Sequence, residues 1–218
     1  MRRRRLRIVI TAGPTREPLD SVRYLSNYST GYMGAQLAAV AQRRGHCVTV
    51  IHGPISERLP RGVRTIAVER AQELEQALRS EARRADAILM AAAVADFRPA
   101  RIAAAKLPRR GRMALRLQAT PDIIGRMPRR PGQIVAGFAL ESGDAVRSAK
   151  HKLREKQLDL VLAQRAGKVV PFGRRRVQAW LVSNEGRVNN LGRISKGRIA
   201  RLILDKVEGL WYGQHHHA

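Results

Sequence analysis

Apolar positions along the chain alternate between short β-branched runs and stretches with helical spacing. The first apolar run spans 6–11, polar and glycine-rich residues follow to Met33, and 34–44 then has the spacing of a helix that ends at Gly45. This order predicts a strand, a loop suited to phosphate, and a helix. Further strands are predicted at 47–52, 63–68, 87–92, 133–138 and 158–163, and further helices at 72–83 and 144–157.

The end of the chain departs from this alternation. Residues 177–182 and 187–190 flank a turn at 184–186 and predict a hairpin, and Ser195 is placed to cap a last helix that runs to about Val207. Strands separated by helices of roughly 10–15 residues are typical of a doubly wound, mostly parallel α/β sheet with a Rossmann-like order. Such sheets bind ligands at the carboxyl ends of their strands.

Residues 93–118 are rich in Ala, Arg and Pro and lack a clean period. A long loop in a compact domain is often a lid over a site, and a helix of irregular sequence is the alternative interpretation. We therefore expect a flap at about 98–112. The remaining expectation is one domain over 1–218, with a basic tail at 1–6 and a C-terminal tail at 209–218.

The composition excludes several classes of protein. The chain has 218 residues, of which 44% are hydrophobic and 27% charged, as in a globular protein. No apolar run approaches the ~20 residues that a membrane helix needs. The single cysteine, Cys47, excludes an internal disulfide framework and a Cys-based zinc site, and it suits a reducing compartment. We expect a cytoplasmic protein with no membrane partner.

The charge raises the question of nucleic-acid binding. The chain carries 42 Lys and Arg against 17 Asp and Glu, a net charge of +25, and only seven of the basic residues are lysines. The arginines are scattered from Arg2 to Arg201, and aromatic residues that could stack on bases make up 4%. We expect a solvated basic surface with nonspecific affinity for polyanions. A nucleotide-binding, Rossmann-like protein with nonspecific nucleic-acid affinity stays open as the alternative.

The segment 11–34 has the composition of a phosphate-binding loop. Glycines let a ligand approach the backbone, hydroxyls donate hydrogen bonds, and the first amides of the following helix face an anion. The dinucleotide fingerprint G-x-G-x-x-G is absent, no acid occurs between 21 and 56, and no tyrosine has a lysine four residues later, so an NAD(P) oxidoreductase is disfavoured. The residues of this cradle are Gly13, Ser29, Thr30, Gly31 and Gly34.

Positions outside the cradle could also contact phosphate or metal. Asp96 follows a buried strand, where it could hold a phosphate-bound metal or cap a helix. Lys106 lies in the expected flap, where it could neutralise charge on a phosphate or simply be solvated. Thr120 precedes a proline, which is typical of the start of a short helix. Lys152 and Lys156 share one helix face and could reach one polyphosphate, or face solvent.

Five separated strings, in this order and spacing, resemble the bacterial, CTP-dependent phosphopantothenate cysteine ligases, also called phosphopantothenoylcysteine synthetases. The strings are ITAGPTREPLDSVRYLSNYSTGYMG, AAVADFRP followed by Lys106, ATPDII, VAGFALES and KLREKQLDLVLA, and the similarity covers about residues 7–207. In many bacteria this domain is fused behind a flavin-dependent decarboxylase. The resemblance concerns the ligase half alone, so no flavin is expected, and a separate phosphopantothenoylcysteine decarboxylase is a candidate partner.

The resemblance implies a two-step reaction in coenzyme A biosynthesis. The carboxylate of 4′-phosphopantothenate attacks the α-phosphate of CTP and releases pyrophosphate, and the amine of L-cysteine then displaces CMP from the acyl-cytidylate. Mg²⁺ would lie between the anions. A homodimer is implied as well, because the acyl-substrate pocket of the family takes residues from both subunits.

The resemblance also implies roles for individual residues. Asn27 would hold the acyl-cytidylate carbonyl and stabilise the oxyanion, Arg23 would assist the second step, and Lys106 would close on the intermediate. Asp96 would bind Mg²⁺ as well as nucleotide. The nucleotide pocket would comprise Met90, Ala91, Ala92, Asp96, Lys106, Pro121, Asp122, Ile123, Ile124, Phe138, Lys152 and Lys156. The site for 4′-phosphopantothenate would comprise three residues of the cradle, Gly13, Ser29 and Gly31, and in addition Asn27 and Ala93.

Some positions depart from the family pattern. Tyr32 stands where the family often has lysine, and the segment that begins at Leu107 lacks a second flap lysine. Gln164 and Arg165 replace the usual Asn-Asp after the last parallel strand. None of these positions coincides with a residue that the resemblance places in the chemistry.

Overall fold

An eight-stranded sheet forms the centre of the computed structural model, which describes residues 4–109, 111–167 and 172–215. The strands within these ranges are β1 (Arg7–Ala12), β2 (Arg16–Pro18), β3 (Tyr24–Ser26), β4 (Cys47–His52), β5 (Arg64–Ala67), β6 (Ala87–Met90), β7 (Phe97–Pro99), β8 (Leu117–Ala119), β9 (Ile134–Glu141), β10 (Leu160–Arg165), β11 (Val177–Ser183) and β12 (Val188–Ile194). The helices are α1 (Tyr32–Arg43), α2 (Ala71–Ala82), α3 (Ala145–Glu155) and α4 (Lys196–His215).

The strand order of the central sheet is β12-β11-β10-β9-β6-β1-β4-β5. The six strands from β10 to β5 in this order are parallel, and the terminal hairpin of β11 and β12 adds two antiparallel strands. The predicted α/β class and its C-terminal hairpin are therefore confirmed. The chain winds outward from β1 to β5 and then returns to β6, so the winding direction reverses between β1 and β6. Ligands of such sheets bind beside this reversal.

Two helical layers cover the sheet, because the apolar residues of its central strands point to both faces. In β1, Ile8 and Ile10 belong to the core that includes α1 and α4, whereas Val9 belongs to the core that includes α2 and α3. A parallel strand that is buried on both faces has a continuous apolar sequence rather than an alternating one. This explains why the predicted strand at the start of the chain has a continuous apolar run.

Several predicted boundaries shift by one to three residues. The predicted strand 87–92 ends at Met90, because the amide of Ala92 bonds to the Thr11 hydroxyl instead of to a neighbouring strand. Helix α3 begins after Asp144, whose Oδ1 accepts hydrogen bonds from the amides of Val146 and Arg147 at 3.1 Å. This carboxylate satisfies amides that have no partner within the helix.

The last helix is longer than predicted. It continues beyond Val207 to His215, so most of the predicted tail at 209–218 is helical. Ile203, Val207 and Trp211 are buried at four-residue spacing, and the His215 ring stacks on Trp211 with ring centroids 4.0 Å apart. Burying a large apolar side chain contributes about 1.5–3 kcal/mol, which is enough to extend a helix by another turn.

The predicted N-terminal tail at 1–6 is wrong at its last residue. Leu6 is fully buried, and its amide donates a hydrogen bond to Nδ1 of His46 at 3.2 Å. Residues 1–3 of that tail, residue 110 of the expected flap and residues 216–218 of the C-terminal tail lie outside the described residues.

Two small sheets lie outside the central sheet, and neither was predicted. Strands β2 and β3 form one antiparallel pair within the connection from β1 to α1, and β7 and β8 form the other. The described residues between 100 and 116 join β7 to β8 without helix or strand, so the flap is the loop of a wide hairpin. The alternative interpretation as an irregular helix is wrong. No helix in the described part of the chain is long and apolar enough to cross a membrane.

Candidate active site

A cavity of about 500 Å³ lies at the carboxyl ends of β6 and β9, beside the reversal of strand order. Its walls come from the connection before α1, the loop after β6, the turn after β8, strand β9 and the helices α3 and α4. Most of the residues that the sequence associates with substrate line it. They are Asn27, Ser29, Gly31, Met90, Ala91, Ala92, Ala93, Asp96, Pro121, Asp122, Ile123, Ile124, Phe138, Lys152 and Lys156.

Two threonines at the end of β1 fix the loop that follows β6. The Thr11 hydroxyl accepts a hydrogen bond from the Ala92 amide at 3.0 Å, and the Thr15 hydroxyl accepts one from the Ala95 amide at 2.9 Å. Both threonines are buried, so these bonds satisfy backbone groups that water does not reach. The loop is thereby held over the edge of the sheet, with exposed Asp96 at its end facing the cavity.

Asn27 follows β3 and crosses the cavity mouth to the same loop. Its Nδ2 donates to the carbonyl oxygens of Ala93 at 2.8 Å and Val94 at 3.2 Å. A side-chain amide nitrogen carries two hydrogens, so both of its donors are directed at the backbone. A bound acyl oxygen would therefore have to replace one of these acceptors, and the longer bond to Val94 is the weaker of the two.

Two lysines at the end of α3 form one wall of the cavity. Lys152 Nζ donates to the Phe138 carbonyl at 2.9 Å, and Lys156 Nζ lies 2.9 Å from Asp122 Oδ1. Burial, assisted by the neighbouring charge of Lys156, lowers the pKa of Lys152. Burial alone would raise the pKa of Asp122, but hydrogen bonds from Lys156 and from the Gly125 amide lower it. The wall therefore combines a carboxylate with two ammonium groups, and it suits a ligand that is anionic overall.

The predicted short helix that begins at Thr120 is a turn. The Thr120 hydroxyl donates to the Ala95 carbonyl at 2.6 Å, and among the described residues no following amide donates to its oxygen as a helix cap requires. Asp122 accepts from the Gly125 amide instead, and Pro128 follows before a second helical turn could form. The turn lies against the loop after β6 and closes one side of the cavity.

The start of α1 forms the opposite end of the cavity. Helix α1 begins at Tyr32, and Gly31 before it has φ 83°. The Ser29 and Thr30 hydroxyls accept from the amides of Gly31 and Tyr32 at 3.4 and 3.3 Å, which fixes the entry into the helix. The first amides of a helix and the positive end of its dipole favour an anion at this position.

Lys196 is a cavity residue that the sequence analysis did not single out. It is the first residue of α4, is only 4% exposed and lines the cavity near the start of α1. Burial lowers its pKa to about 8, and the charge of Glu57 opposes this shift. The signal in the sequence was its rarity, because Lys196 is one of seven lysines in an arginine-rich chain. The same signal did draw attention to Lys152 and Lys156.

Two glycines of the predicted cradle have packing roles. Gly13 does not line the cavity; its φ is +79°, and a Cβ there would approach Ile55 Cγ2 to 2.5 Å. Its carbonyl accepts from the Ala93 amide at 2.8 Å and so supports the loop after β6. Gly34 lies within α1, where a Cβ would overlap that of Ala12, so this glycine lets α1 pack closely on β1. Both glycines therefore contact other parts of the chain, and neither lines the cavity.

Arg23 and Lys106 also lie outside the cavity lining. The Arg23 guanidinium bonds to Asp20 and to the Leu107 carbonyl, not to a cavity residue. Lys106 is exposed on the flap. The resemblance assigns both residues to the reaction, and in this structure Arg23 joins the β2–β3 turn to the flap next to Lys106. Their roles in the reaction stay predictions.

Asp96 is the residue best placed to hold a divalent cation. In the described part of the chain, no group of three or more His, Cys, Asp or Glu side chains could form a metal site of protein ligands alone. Mg²⁺ usually keeps several waters and binds through one or two carboxylates together with substrate phosphates. An exposed carboxylate at the mouth of an anion-binding cavity fits that mode of binding.

Comparisons with known proteins find relatives that match nearly the whole chain. The family model described as the DNA/pantothenate metabolism flavoprotein C-terminal domain matches residues 4–210. The coenzyme A biosynthesis bifunctional protein CoaBC of Mycobacterium tuberculosis (strain ATCC 25618 / H37Rv) is 37% identical over 215 residues, which cover 92% of this chain and 51% of that protein. A crystal structure of the C-terminal domain of coenzyme A biosynthesis bifunctional protein CoaBC is 31% identical, with a TM-score of 0.78 and coverage of 94% of this chain and 95% of that one.

A further relative has a different name. The cysteine/cysteine sulfinic acid decarboxylase of an unknown prokaryotic organism is 36% identical over 207 residues, which cover 92% of this chain and 57% of that protein. The chain thus spans about half the length of the curated relatives it matches.

Proposed function

Since this chain belongs to the family of DNA/pantothenate metabolism flavoprotein C-terminal domains, we propose that it is a ligase that joins 4′-phosphopantothenate to L-cysteine at the expense of CTP. The observation that carries the proposal is the convergence of Asn27, Asp96 and the lysine pair of α3 on one cavity at the reversal of the sheet. These residues come from separate strings of the sequence, and only the fold brings them together.

The first step activates the carboxylate of 4′-phosphopantothenate. Its oxygen forms a bond to the α-phosphorus of CTP while the bond from that phosphorus to the β-phosphate oxygen breaks, which gives acyl-cytidylate and pyrophosphate. Lys152 and Lys156 lie beside the turn that includes Asp122, and the start of α1 and Lys196 lie at the other end of the cavity. We assign the cytidine to the turn that includes Asp122 and the polyphosphate to the path between the two ends.

The second step is attack of the cysteine amine on the acyl carbonyl. The C–N bond forms, negative charge develops on the carbonyl oxygen, and CMP leaves with the electrons of the C–O bond while the amine loses a proton. Asn27 is the residue that we assign to this oxygen, through exchange of its bond to Val94. Removing a donor of this type from an oxyanion site costs roughly 3–4 kcal/mol of barrier.

Mg²⁺ is part of the proposal because Asp96 fits it. When bound, the ion would neutralise phosphate charge and so favour departure of pyrophosphate. Asp96 itself would orient the phosphates, and the nearby Lys152, whose pKa its charge raises against the effect of burial, would limit repulsion between carboxylate and phosphate. Flavin has no role in this proposal.

A homodimer is the assembly that we propose. Apolar side chains are exposed on the two small sheets, which neighbour each other through β2 and β7, and on the flap. Large apolar patches on a protein surface usually mark an interface. The partner proposed for this face is a second copy of the chain, as the resemblance implies, and sedimentation velocity measures that assembly. The exposed side chains are Val22, Tyr24, Phe97, Ile102, Met113, Leu115 and Leu117.

The test of the ligase activity is pyrophosphate release by the purified protein with 4′-phosphopantothenate and Mg²⁺. CTP is compared with ATP, and each nucleotide is tested with and without cysteine. The proposal expects turnover that needs cysteine and is faster with CTP. Absence of release with either nucleotide would contradict the ligase, and equal rates with both nucleotides would contradict the CTP preference alone.

A further inference from the structure

The turn between β2 and β3 holds the flap through both backbone groups of one residue. Asp20 Oδ2 accepts a hydrogen bond from the Leu107 amide at 3.0 Å, and Arg23 Nη2 donates to the Leu107 carbonyl at 2.8 Å. Leu107 directly follows Lys106, the lysine that the resemblance assigns to the flap. The peptide bond on the C-terminal side of Lys106 is therefore fixed to the turn.

The segment before Lys106 is held by the same turn. The Ala103 amide donates to the Leu19 carbonyl at 3.0 Å. Residues 103–107 are thus attached to the turn near both ends, and Lys106 is exposed between the two attachments. A short segment that is anchored twice samples far fewer conformations than a free loop, so its lysine has a restricted reach.

Asp20 is the centre of this contact. Its side chain is fully inaccessible, and Oδ1 accepts from the amides of Val22 and Arg23, each at 2.8 Å. Oδ2 accepts from Arg23 Nε at 2.9 Å and from the Leu107 amide. The hydrogen bond from the Arg23 side chain is the largest influence on Asp20 and holds its pKa well below the usual range, against the opposing effect of burial. Asp20 is therefore a carboxylate at every pH at which the protein would work.

The turn also leads to Asn27. Strand β3 begins one residue after Arg23 and ends one residue before Asn27, whose Nδ2 bonds to the Ala93 carbonyl. One rigid hairpin thus connects the flap lysine on one side with the proposed oxyanion donor on the other. Reactions in which two groups act on one intermediate are sensitive to their separation, and a 1 Å displacement can cost on the order of 100-fold in rate.

We propose that Asp20 and Arg23 are positioning residues, a latch that sets the place of Lys106 relative to Asn27. The inference rests on the proposed ligase function. Arg23, which the resemblance connects with the second step, acts in this view through the Leu107 carbonyl rather than by contact with substrate. Asp20, to which no role was assigned by resemblance, is equally important because it holds both Arg23 and the Leu107 amide.

The test compares Asp20→Asn with a matched control on the same hairpin. Asp20→Asn keeps the shape of the side chain but removes its charge. It also replaces one acceptor oxygen by an NH₂ group, which cannot accept the hydrogen bonds that Asp20 receives from neighbouring N–H groups. Glu17→Gln makes the same chemical change at a buried carboxylate that accepts from the Ala71 amide at 2.8 Å and so binds α2 rather than the flap. Arg23→Gln, which leaves both bonds to Asp20 Oδ1 possible, serves if Asp20→Asn does not fold.

The direct readout needs no substrate. Hydrogen exchange of the Leu107 amide and tryptic cleavage of the Lys106–Leu107 bond both require release of the latch, since that amide is the group bonded to Asp20. We expect both rates to rise about tenfold or more in Asp20→Asn, which corresponds to loss of a hydrogen bond to a charged group. Cleavage after Arg101, a flap arginine outside the 103–107 segment, provides an internal reference.

The kinetic readout separates positioning from binding. In Asp20→Asn we expect kcat for pyrophosphate release to fall about 10- to 100-fold while KM for CTP stays within about twofold, since no hydrogen bond among the described residues joins Asp20 or Arg23 to a residue that lines the cavity. Equal exchange, cleavage and kcat in Asp20→Asn and Glu17→Gln would overturn the latch. Absence of pyrophosphate release by the wild type would instead overturn the proposed function, and Leu107 exchange would still decide whether Asp20 holds the flap.

Discussion

Lys152 and Lys196 reach the same cavity from opposite faces of the central sheet. Lys152 lies on α3, which covers the same face of the sheet as α2, and Lys196 begins α4, which packs with α1 on the other face. Both side chains line the cavity at the carboxyl edge of the parallel strands. An anion that contacts both must lie across the edge of the sheet, which suits an extended polyphosphate better than a single phosphate.

Replacement of Lys196 by Met should weaken CTP binding. A hydrogen bond to a charged group is worth about 1.5–3 kcal/mol, so we expect affinity to fall roughly 10- to 100-fold. CMP should be affected much less, because it lacks the β- and γ-phosphates that would reach this end. Calorimetric titration with both nucleotides measures this. Lys206→Met, at an exposed lysine of the same helix, is the control, and equal losses for CTP and CMP would contradict the placement.

The same lysine should impose a pH dependence. Burial lowers the pKa of Lys196 to about 8 from an ordinary value of 10.5. Its positive charge is lost as pH rises through about 8, so wild-type affinity for CTP should decline there, and Lys196→Met should lack this step. Between these two pKa values the unfolded chain binds more protons, so the contribution of Lys196 to stability should increase with pH. Denaturation of wild type and variant from pH 7 to 10 checks the sign.

Asn27→Ala should slow the second step without unfolding the protein, because Asn27 is exposed. Loss of an oxyanion donor costs roughly 10²- to 10³-fold in rate, so acyl-cytidylate should accumulate after a burst of pyrophosphate. Quenched samples analysed by mass spectrometry would show it. Tyr28→Phe, at the adjacent and 81% exposed side chain, is the control. Turnover by Asn27→Ala at the wild-type rate would remove Asn27 from the mechanism.

Lys106→Gln should slow the first step far more than it weakens CTP binding. Lys106 is exposed outside the cavity in this structure, and because the latch holds its backbone it would reach the ligand only by movement of its side chain or of the flap and hairpin together. Single-turnover release of pyrophosphate and equilibrium CTP titration separate the two effects. Arg101→Gln, another exposed cation of the flap, controls for the change in charge. A loss in affinity as large as the loss in rate would show that Lys106 binds nucleotide in the open state.

Gly34→Ala should destabilise the fold although alanine is the better helix former. Propensity favours alanine by about 1 kcal/mol, but the added Cβ would overlap that of Ala12, and overpacking costs about 1–3 kcal/mol. Gly209→Ala in α4 meets no atom within 4 Å and should stabilise the protein by about 0.5–1 kcal/mol. Urea denaturation of both variants measures the difference. A stabilised Gly34→Ala would contradict the close packing of α1 on β1.

The sequence predicted well those parts of the protein whose environment repeats along the chain. Continuous apolar runs such as Ile8–Ile10 identify central parallel strands, and the spacing of apolar residues in α1 and α2 identifies helices, because burial imposes a fixed period on each element. The four-residue series that ends at Trp211 carries the same signal, but the prediction ended the helix at Val207 and missed its last two turns.

Short elements and contacts between distant residues could not be predicted in this way. Strands of three residues such as β2 and β7 carry too little pattern to define a period, and their pairing depends on where the central sheet places them. The sequence indicated glycines that would let a ligand approach the backbone, but only the structure showed that Gly13 packs against Ile55 and does not line the cavity.

The motifs by themselves determined the family resemblance and most of the cavity lining, because many of those residues lie at or just after strand ends that meet at one edge of the sheet. The tertiary structure decided the rest. It placed Lys196 in the cavity, directed both donors of Asn27 to the backbone, and joined Asp20 to Leu107 across 87 positions of the chain. A hydrogen bond between such distant positions leaves no periodic signal in the sequence, since it depends on the packing of every element between them.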